Sequence, residues 1–402
     1  MKSSSSTQMN TKNFDLLNDL SQLKKVIDVN ATEAVVFYTG RILEATSTYC
    51  VTRLGEKAKT NVFANIEYIN DYNLLDSRTR SWAHALRRLA NQFRHILKPT
   101  DKNDGRIAII LLDIWLDWLV KESHLVDSNT QPFSLLENTQ DEIAEQFHWV
   151  SEWLMHKNIN KMEIDNDSSL LHQPVFASVI CEELINRKEI VKVSKFLSTA
   201  LSHHPEDLRL NQLQGLLLSR TGRLKEAEQL LRKLLKQTSN DDESIGILAG
   251  IIKKIWQNGD QDRLKQWGKL YLKGWDLSKQ RNTYLGINSA AYCLWSGDFD
   301  TSKQIANDIV KLYKHREKTL QETLNVSTKQ MDYWDQATLA EAYLLSGSIQ
   351  SAEENYQELF TSDIFKDKPH DVAATQLKQH LNELSITSGS LLNKMAQQYT
   401  NK

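Results

Sequence analysis

The 402-residue sequence is poor in the residues that make tight turns, with 14 glycines and 5 prolines. A β-sandwich or β-barrel needs many hairpin turns, so this shortage argues against both. The sequence also lacks an apolar run of the roughly 18 residues that a membrane-spanning helix needs. Its nearest approach, at 107–120, contains Asp113 and Asp117. We therefore expect an all-α protein with no membrane segment.

Cysteine is scarce and scattered along the chain. Cys50, Cys181 and Cys293 are more than a hundred residues apart and form neither a zinc-binding nor a disulfide pattern. The first ten residues are rich in serine and have no apolar core, unlike a secretory signal or a membrane anchor. The sequence also lacks a glycine-rich phosphate loop, a serine nucleophile elbow and a helical His-Glu metal motif. These features predict a cytoplasmic protein with no metal and no cofactor.

Apolar periodicity divides the chain into two helical parts. A tail and a short helix occupy 1–30, and a compact four-helix bundle is predicted at 31–122. A connecting helical segment at 123–172 leads into a repeat region at 173–390. The predicted bundle helices span 31–54, 62–72, 80–97 and 104–120, and the third is expected to end before Pro99.

Internal repetition predicts the architecture of the second part. Residues 208–237 place small and apolar residues at the positions of a tetratricopeptide repeat, and the same pattern recurs one 34-residue step upstream. Downstream, the pattern recurs around Gly297 and Gly347 at irregular distances, which indicates inserts or longer helices. We expect about four to five helical hairpins stacked into a superhelix, an architecture that usually provides a binding surface.

The third predicted bundle helix combines a basic surface with a polar stripe. Residues 78–106 contain eight lysines and arginines but only two aspartates. This excess of positive charge suits the binding of phosphate groups, although an ordinary solvated helix surface can have the same charge. One face of the helix is apolar and belongs to the core. About 200° away, a polar stripe repeats at the same helical spacing. Its members are His84, Arg88, Asn91 and His95.

Residues 36–55 and 84–97 together resemble the HEPN superfamily of α-helical bundles, whose signature is an arginine, four to six residues and a histidine. Arg88 and His95 match this signature, and the polar Asn91 lies between them. The resemblance implies a metal-independent ribonuclease that acts as a pair of bundles. His95 would be the general acid or base, and Arg88 would stabilise phosphate charge. Because Ala90 stands where many active members have the arginine, a bundle that only binds or dimerises remains the alternative.

Three segments of the repeat region, 241–256, 284–298 and 331–347, are rich in polar and aromatic residues. One interpretation makes them the wall of a binding site, with rings for stacking, amide and carboxylate groups for a sugar or base, and a lysine for phosphate. The other makes Asp332 a helix cap and the tryptophans packing residues. The predicted ligand-binding residues are Lys253, Lys254, Tyr284, Asn288, Asp332, Trp334, Thr338 and Glu341.

These segments are similar to the tetratricopeptide-like TRAF-binding domain of apoptosis-signal-regulating kinases and its bacterial relatives. The similarity covers 206–384 and rests on Gly-Ile-Asn at 286–288 and Asp-Tyr-Trp at 332–334. The resemblance implies a module of bacterial conflict and immune systems that senses a nucleotide-derived signal and is fused to an effector.

Both resemblances together predict a bacterial anti-phage effector in which the repeat region senses a nucleotide-derived signal and controls a HEPN-like ribonuclease. The expected partners are an RNA substrate, the signal, a second copy of the chain and a protein bound by the repeats. The alternative is a non-catalytic adaptor that dimerises through its bundle and binds partner proteins.

Overall fold

The computed structural model describes residues 16–57, 61–94, 102–126, 145–146, 149–150, 153, 169–238, 241–324, 331–366, 368–386 and 390–400. No β-strand occurs in these ranges, so the prediction of an all-α protein is confirmed for the described residues. No helix within them is both long and apolar enough to cross a membrane. The helices belong to two compact units, which contain the described residues of Met1–Leu213 with Thr319–Thr328 and of Gln214–Lys318 with Lys329–Lys402.

The helices of the first part follow the predicted pattern closely. Each predicted helix of the bundle has a counterpart, although the predicted end of the third lies outside the described residues. The helix bounds are α1 (Leu16–Asp28), α2 (Thr32–Arg53), α3 (Val62–Asn70), α4 (Ser77–Arg94) and α5 (Lys102–Lys121).

Helices α2 to α5 pack on one another around an aromatic and aliphatic core. Trp115 is fully buried, and its Nε1 donates to Thr46 Oγ1 at 2.8 Å, which joins α5 to α2. Helix α2 approaches α4 closely at Gly40, where an added Cβ would lie 2.5 Å from the Cβ of Ala90. Ala90 therefore occupies a position where close packing favours a small side chain.

Within the described residues from 174 onward the helices follow one another as six consecutive pairs, where four to five hairpins were expected. Short 3₁₀ helices at Ser169–His172, Gln261–Arg263 and Asp363–Phe365 precede or join some of them. The bounds are α6 (Pro174–Asn186), α7 (Ile190–His203), α8 (Leu208–Arg220), α9 (Leu224–Gln237), α10 (Asp242–Gln257), α11 (Leu264–Leu277), α12 (Thr283–Trp295), α13 (Phe299–Leu324), α14 (Tyr333–Ser346), α15 (Ile349–Thr361), α16 (His370–Glu383) and α17 (Leu391–Thr400).

A left-handed glycine marks the turn inside four successive pairs. Gly222, Gly259, Gly297 and Gly347 all have positive φ, a conformation that glycine adopts without the steric penalty of a Cβ. The first three are separated by 37 and 38 residues, but the last step is 50 residues. The long step contains α13, which has 26 residues. The irregular spacing seen in the sequence therefore comes partly from one lengthened helix.

Polar contacts between residues 35 positions apart connect successive pairs of the second unit. Side chains or backbone groups at equivalent positions meet because each pair repeats the geometry of the one before it. The contacts are Ser219 with Lys254, Glu228 with Arg263, Lys253 with Asn288, Arg281 with Arg316, and Glu341 with Gln376. These contacts span one residue more than the 34-residue step predicted from the sequence, whereas the turn glycines are 37, 38 and 50 residues apart.

We expect Gly268→Ala to destabilise the second unit, because a Cβ built at Gly268 overlaps the ring of Tyr292. Overpacking of this kind costs about 1–3 kcal/mol. Gly250→Ala is the matched control, since its Cβ would lie 3.5 Å from the nearest atom and alanine favours a helix by up to about 1 kcal/mol. Urea unfolding of both variants measures the difference, and equal stabilities would contradict the close packing at Gly268.

Candidate functional site

Helices of the second unit bring together a cluster of charged and aromatic side chains, which we call the Lys253 cluster. Most members come from the first helix of a pair, so the repeat geometry itself aligns them. The cluster consists of Lys253 and Trp256 on α10, Trp267 on α11, Asn288 and Trp295 on α12, Glu341 on α14, and Gln376 and His380 on α16.

Lys253 is a buried cation held mainly by neutral groups. Lys253 is only 8% exposed, and its Nζ donates a hydrogen bond to Asn288 Oδ1 at 2.8 Å. The ammonium also lies 5.6 Å from the ring centre of Trp267 and 5.5 Å from that of Trp295, within range of a cation–π attraction. No carboxylate among the described residues forms an ion pair with it.

Burial lowers the pKa of Lys253 to about 8, and the negative charge of Glu341 offsets part of that effect. A buried charge without a direct counterion is costly. The arrangement therefore favours an added anionic group beside Lys253 that would keep the ammonium protonated.

Glu341 is also a buried member of the cluster, and two hydrogen-bond donors hold its carboxylate in place. Gln376 Nε2 and His380 Nε2 each lie 2.8 Å from Glu341 Oε1. Because an ionised carboxylate only accepts hydrogen bonds, His380 donates through Nε2. The imidazole also stacks on Trp295, with ring centres 5.1 Å apart. These contacts hold Glu341 in position with capacity for a further hydrogen-bond donor.

Three tryptophan rings form the aromatic part of the cluster. Trp295 lies 5.0 Å from Trp256 and 5.7 Å from Trp267, measured between ring centres. Trp256 and Trp295 are half-buried, so parts of their rings remain accessible to a ligand, whereas Trp267 is fully buried. Rings exposed in this way offer stacking surface for a heteroaromatic group.

Two buried polar atoms of the cluster have no hydrogen-bond partner within the described part of the chain. They are Nε1 of Trp267 and Nδ1 of His380, both in residues that are completely buried. Buried polar groups are normally satisfied, so each exception calls for a physical explanation, and a bound polar group is one. Together with the ammonium of Lys253, these atoms offer donors and an acceptor to a polar ligand.

The predicted ligand-binding residues fall into two groups. Lys253, Asn288 and Glu341 belong to the cluster, whereas the other five have local or separate contacts. Asp332 accepts hydrogen bonds from the backbone nitrogens of Trp334 and Asp335, as the helix-cap interpretation of that residue expected. Trp334 is 54% exposed beside Tyr333.

The remaining three predicted residues lie close to cluster members in sequence but make other contacts. Lys254 Nζ donates to Ser219 Oγ at 3.0 Å. The hydroxyl of Tyr284 meets that of Tyr271 at 3.0 Å, and its backbone oxygen accepts from Asn288 Nδ2. Thr338 is half-buried on α14, one turn before Glu341.

The list of predicted ligand-binding residues did not include His380, Gln376, Trp256, Trp267 or Trp295. One signal in the sequence leads to the first two of these. A step of 35 residues from Glu341 reaches Gln376, and His380 follows one helical turn later on the same face. Trp267 lies on the second helix of its pair, where no repeat spacing relates it to the other members.

The polar stripe of α4 is only partly what the sequence suggested. His84 is buried, and its Nε2 lies 2.8 Å from Glu67 Oε1. Arg80 also makes two hydrogen bonds to Glu67. Burial lowers the pKa of His84 to about 4 despite its carboxylate partner. His84 is therefore a neutral residue of the core.

The other stripe residues have different surroundings. Arg88 is half-buried, and its Nη2 lies 3.5 Å from Ser178 Oγ on α6. Burial by itself would raise the pKa of Glu182, but Arg209, with smaller effects from Arg88 and Arg80, lowers it overall. Asn91 is exposed. His95 lies outside the described residues.

Comparison with known proteins identifies the type of repeat. Residues 189–294 match the family described as TPR-S, Tetratricopeptide Repeats-Sensor. The match contains Lys253, Trp267 and Asn288, whereas Glu341 and His380 lie beyond it. The chain therefore contains a tetratricopeptide-type repeat region. No curated protein matches the chain.

Two solved structures show a remote likeness. A thermophilic TPR protein from Thermus thermophilus has 13% identity and a TM-score of 0.38, over 53% of this chain and all of that one. The APC/C hetero-tetramer Cut9–Hcn1 has 12% identity and a TM-score of 0.34, over 94% of this chain and 81% of that one. Both scores are too low to support a functional argument.

We expect Lys253→Met to change how stability depends on pH. With the pKa of Lys253 lowered from 10.5 to about 8 in the folded chain, the unfolded chain binds more protons between these values. The wild type should therefore gain stability relative to the variant as pH rises from about 8 to 10.5, by up to about 3 kcal/mol. Urea unfolding across this range measures the gain, and a pH-independent difference would contradict a depressed pKa.

Proposed function

We propose that the repeat region is a sensor that binds a nucleotide-derived signal at the Lys253 cluster and thereby controls the N-terminal bundle. The observation that carries this proposal is the burial of Lys253 among neutral partners. A phosphate group beside the ammonium would supply the missing counterion, and charge-assisted hydrogen bonds of this type are strong. The match to a sensor-type repeat family supports the same assignment.

The other members of the cluster suit the remaining parts of a nucleotide. The half-buried rings of Trp256 and Trp295 would offer stacking surface to a base, since every base has a π-face. Glu341, already fixed by Gln376 and His380, would accept a hydrogen bond from an amino or imino group of that base. Asn288 would stay in contact with Lys253 and orient its ammonium.

For the N-terminal bundle we propose HEPN-type, metal-independent cleavage of RNA. Arg88 and His95 would act from a cleft formed by two copies of the chain, with Asn91 between them. His95 would move a proton at the RNA 2′-hydroxyl or the leaving oxygen, and Arg88 would stabilise the developing phosphate charge. Among the described residues no group of three or more potential ligands could hold a metal ion, and the proposed chemistry needs none.

In a bacterial cell this combination would act as an anti-phage effector of the cytoplasm. A signal made during infection would bind the repeat region, change the pairing of the bundles and switch on RNA cleavage. Such coupling requires that the signal bind the active pairing more tightly than the inactive one.

A non-catalytic adaptor is the second candidate, and the surroundings of Arg88 favour it. Helix α4 packs on α6, where the rings of Trp82 and Phe176 meet edge to face with centres 6.2 Å apart. Arg88 extends the same contact through Ser178 and the charge of Glu182. In an adaptor, these residues would stabilise the fold, and the repeats would bind a protein.

To test the proposed ribonuclease, we would incubate the purified chain with total and transfer RNA in the absence of metal, with and without a panel of nucleotides. We expect cleavage by the wild type in the presence of one nucleotide. His95→Ala and Arg88→Ala should each reduce cleavage at least about 100-fold, because acid–base catalysis and stabilisation of developing charge each typically contribute that much. Gel analysis of the RNA measures the rate.

Glu122→Gln, which changes an exposed residue just beyond α5, is the control variant and should cleave normally. Lys253→Met should retain any activity that needs no signal but lose the response to the nucleotide. Unchanged cleavage by His95→Ala would contradict the catalytic assignment. A folded wild type that cleaves no RNA under any condition would favour the adaptor.

A further inference from the structure

The second helices of two successive pairs, α9 and α11, carry more positive than negative charge. Together they contain seven lysines and arginines but only three aspartates and glutamates, a net charge of +4, whereas the whole chain has a net charge of −2. Such a concentration of positive charge attracts anionic partners. Six of the seven are exposed lysines, which we call the lysine face: Lys225, Lys233 and Lys236 on α9, and Lys265, Lys269 and Lys273 on α11.

The lysines occupy matching positions on the two helices. Both helices bury their fourth, eighth and eleventh residues, and the lysines lie on the opposite side. Lys225 and Lys265 are the second residues of their helices, and Lys233 and Lys273 are the tenth. The three lysines of α11 recur every four residues, so they are about 6 Å apart along the helix axis. The lysine face is therefore a regular array of positive charges on two helices.

The carboxylates of α9 are already paired with arginines. Glu226 forms an ion pair with Arg223 at 2.5 Å, and Glu228 contacts both Arg232 at 2.7 Å and Arg263 at 3.1 Å. Because Arg263 directly precedes α11, its ion pair also joins the two helices. Five lysines of the face form no ion pair or hydrogen bond with the described residues, so their charge is available to a partner. They are Lys225, Lys233, Lys236, Lys265 and Lys269.

The composition of the lysine face favours a nucleic-acid strand over an acidic protein. Interfaces between proteins have an apolar core and are depleted in lysine, whereas lysine and arginine provide most contacts to a phosphate backbone. Among the exposed large apolar residues, only Leu277 belongs to α9 or α11. A lysine ammonium is a point charge on a flexible stem, so it binds phosphates without reading the bases.

We propose that the lysine face binds the phosphate backbone of an RNA strand, so that the repeat region holds the substrate as well as sensing the signal. The inference rests on the proposed function, because it takes RNA as the substrate. It adds a docking surface whose binding is independent of base sequence and is weakened by salt. Lys253, whose ammonium is buried, takes no part in it.

Fluorescence anisotropy of a labelled single-stranded oligothymidylate, titrated with the full chain at several salt concentrations, tests this inference. The probe has the phosphate backbone but no 2′-hydroxyl, so the proposed ribonuclease cannot cleave it. In the variant that combines Lys233→Gln, Lys265→Gln and Lys269→Gln, the slope of log affinity against log salt should become shallower by about 2, because each phosphate contact contributes about 0.7. The same relation predicts a loss of affinity of about 100-fold at about 0.1 M salt.

The matched control combines Lys366→Gln, Lys378→Gln and Lys394→Gln, which remove three exposed lysines of the same unit outside α9 and α11. It should bind the probe as the wild type does. Equal losses in the two triple variants would overturn the inference, because net charge alone has that effect. Poly-glutamate that displaces the probe as effectively as unlabelled oligothymidylate would also overturn it and indicate an acidic protein as the partner.

The probe also separates this inference from the proposed function. A wild type that cleaves RNA in response to a nucleotide but does not bind the probe would overturn the lysine face and leave the proposed function intact. A wild type that binds the probe through the three lysines but cleaves no RNA would contradict the proposed ribonuclease and support the lysine face.

Discussion

The buried ammonium of Lys253 is the constraint on which the candidate site of the second unit depends. It has one hydrogen bond, to Asn288, and otherwise faces the indole rings of Trp267 and Trp295. A protein that needed only stability would gain by placing an apolar residue there, because an unpaired buried charge is destabilising. The anion of the proposed ligand would supply the counterion that this ammonium lacks.

The helical fold could be predicted from the sequence because its signals are local. Apolar periodicity located α1 to α5 within a few residues, and the glycines at 222, 297 and 347 marked real turns between paired helices. The number of pairs and the long step before Gly347 could not be predicted in the same way. They depend on the length of α13, whose 26 residues interrupt the regular repeat.

The candidate site was harder to predict because its members are far apart in the chain. Spacing along single helices selected Lys253, Asn288 and Glu341, which belong to the cluster. It also selected Asp332, which caps α14, and Trp334, which lies exposed beside Tyr333. Gln376 and His380 follow from Glu341 only when the 35-residue step between neighbouring helix pairs is applied. Similarly, His84 was predicted to belong to a polar stripe, whereas a tertiary contact with Glu67 places it in the core.

Nuclear magnetic resonance of the indole N–H groups, titrated with the panel of nucleotides used in the cleavage assay, tests the ligand site most directly. The chain has ten tryptophans, and Nε1 of Trp267 is a buried donor without a partner among the described residues. We expect the resonances of Trp256, Trp267 and Trp295 to shift on binding and to stop responding in Lys253→Met. Trp115 and Trp118, hydrogen-bonded within the N-terminal bundle, provide the internal reference. Saturable binding that leaves the three cluster resonances unchanged would contradict the assignment of the Lys253 cluster as the ligand site.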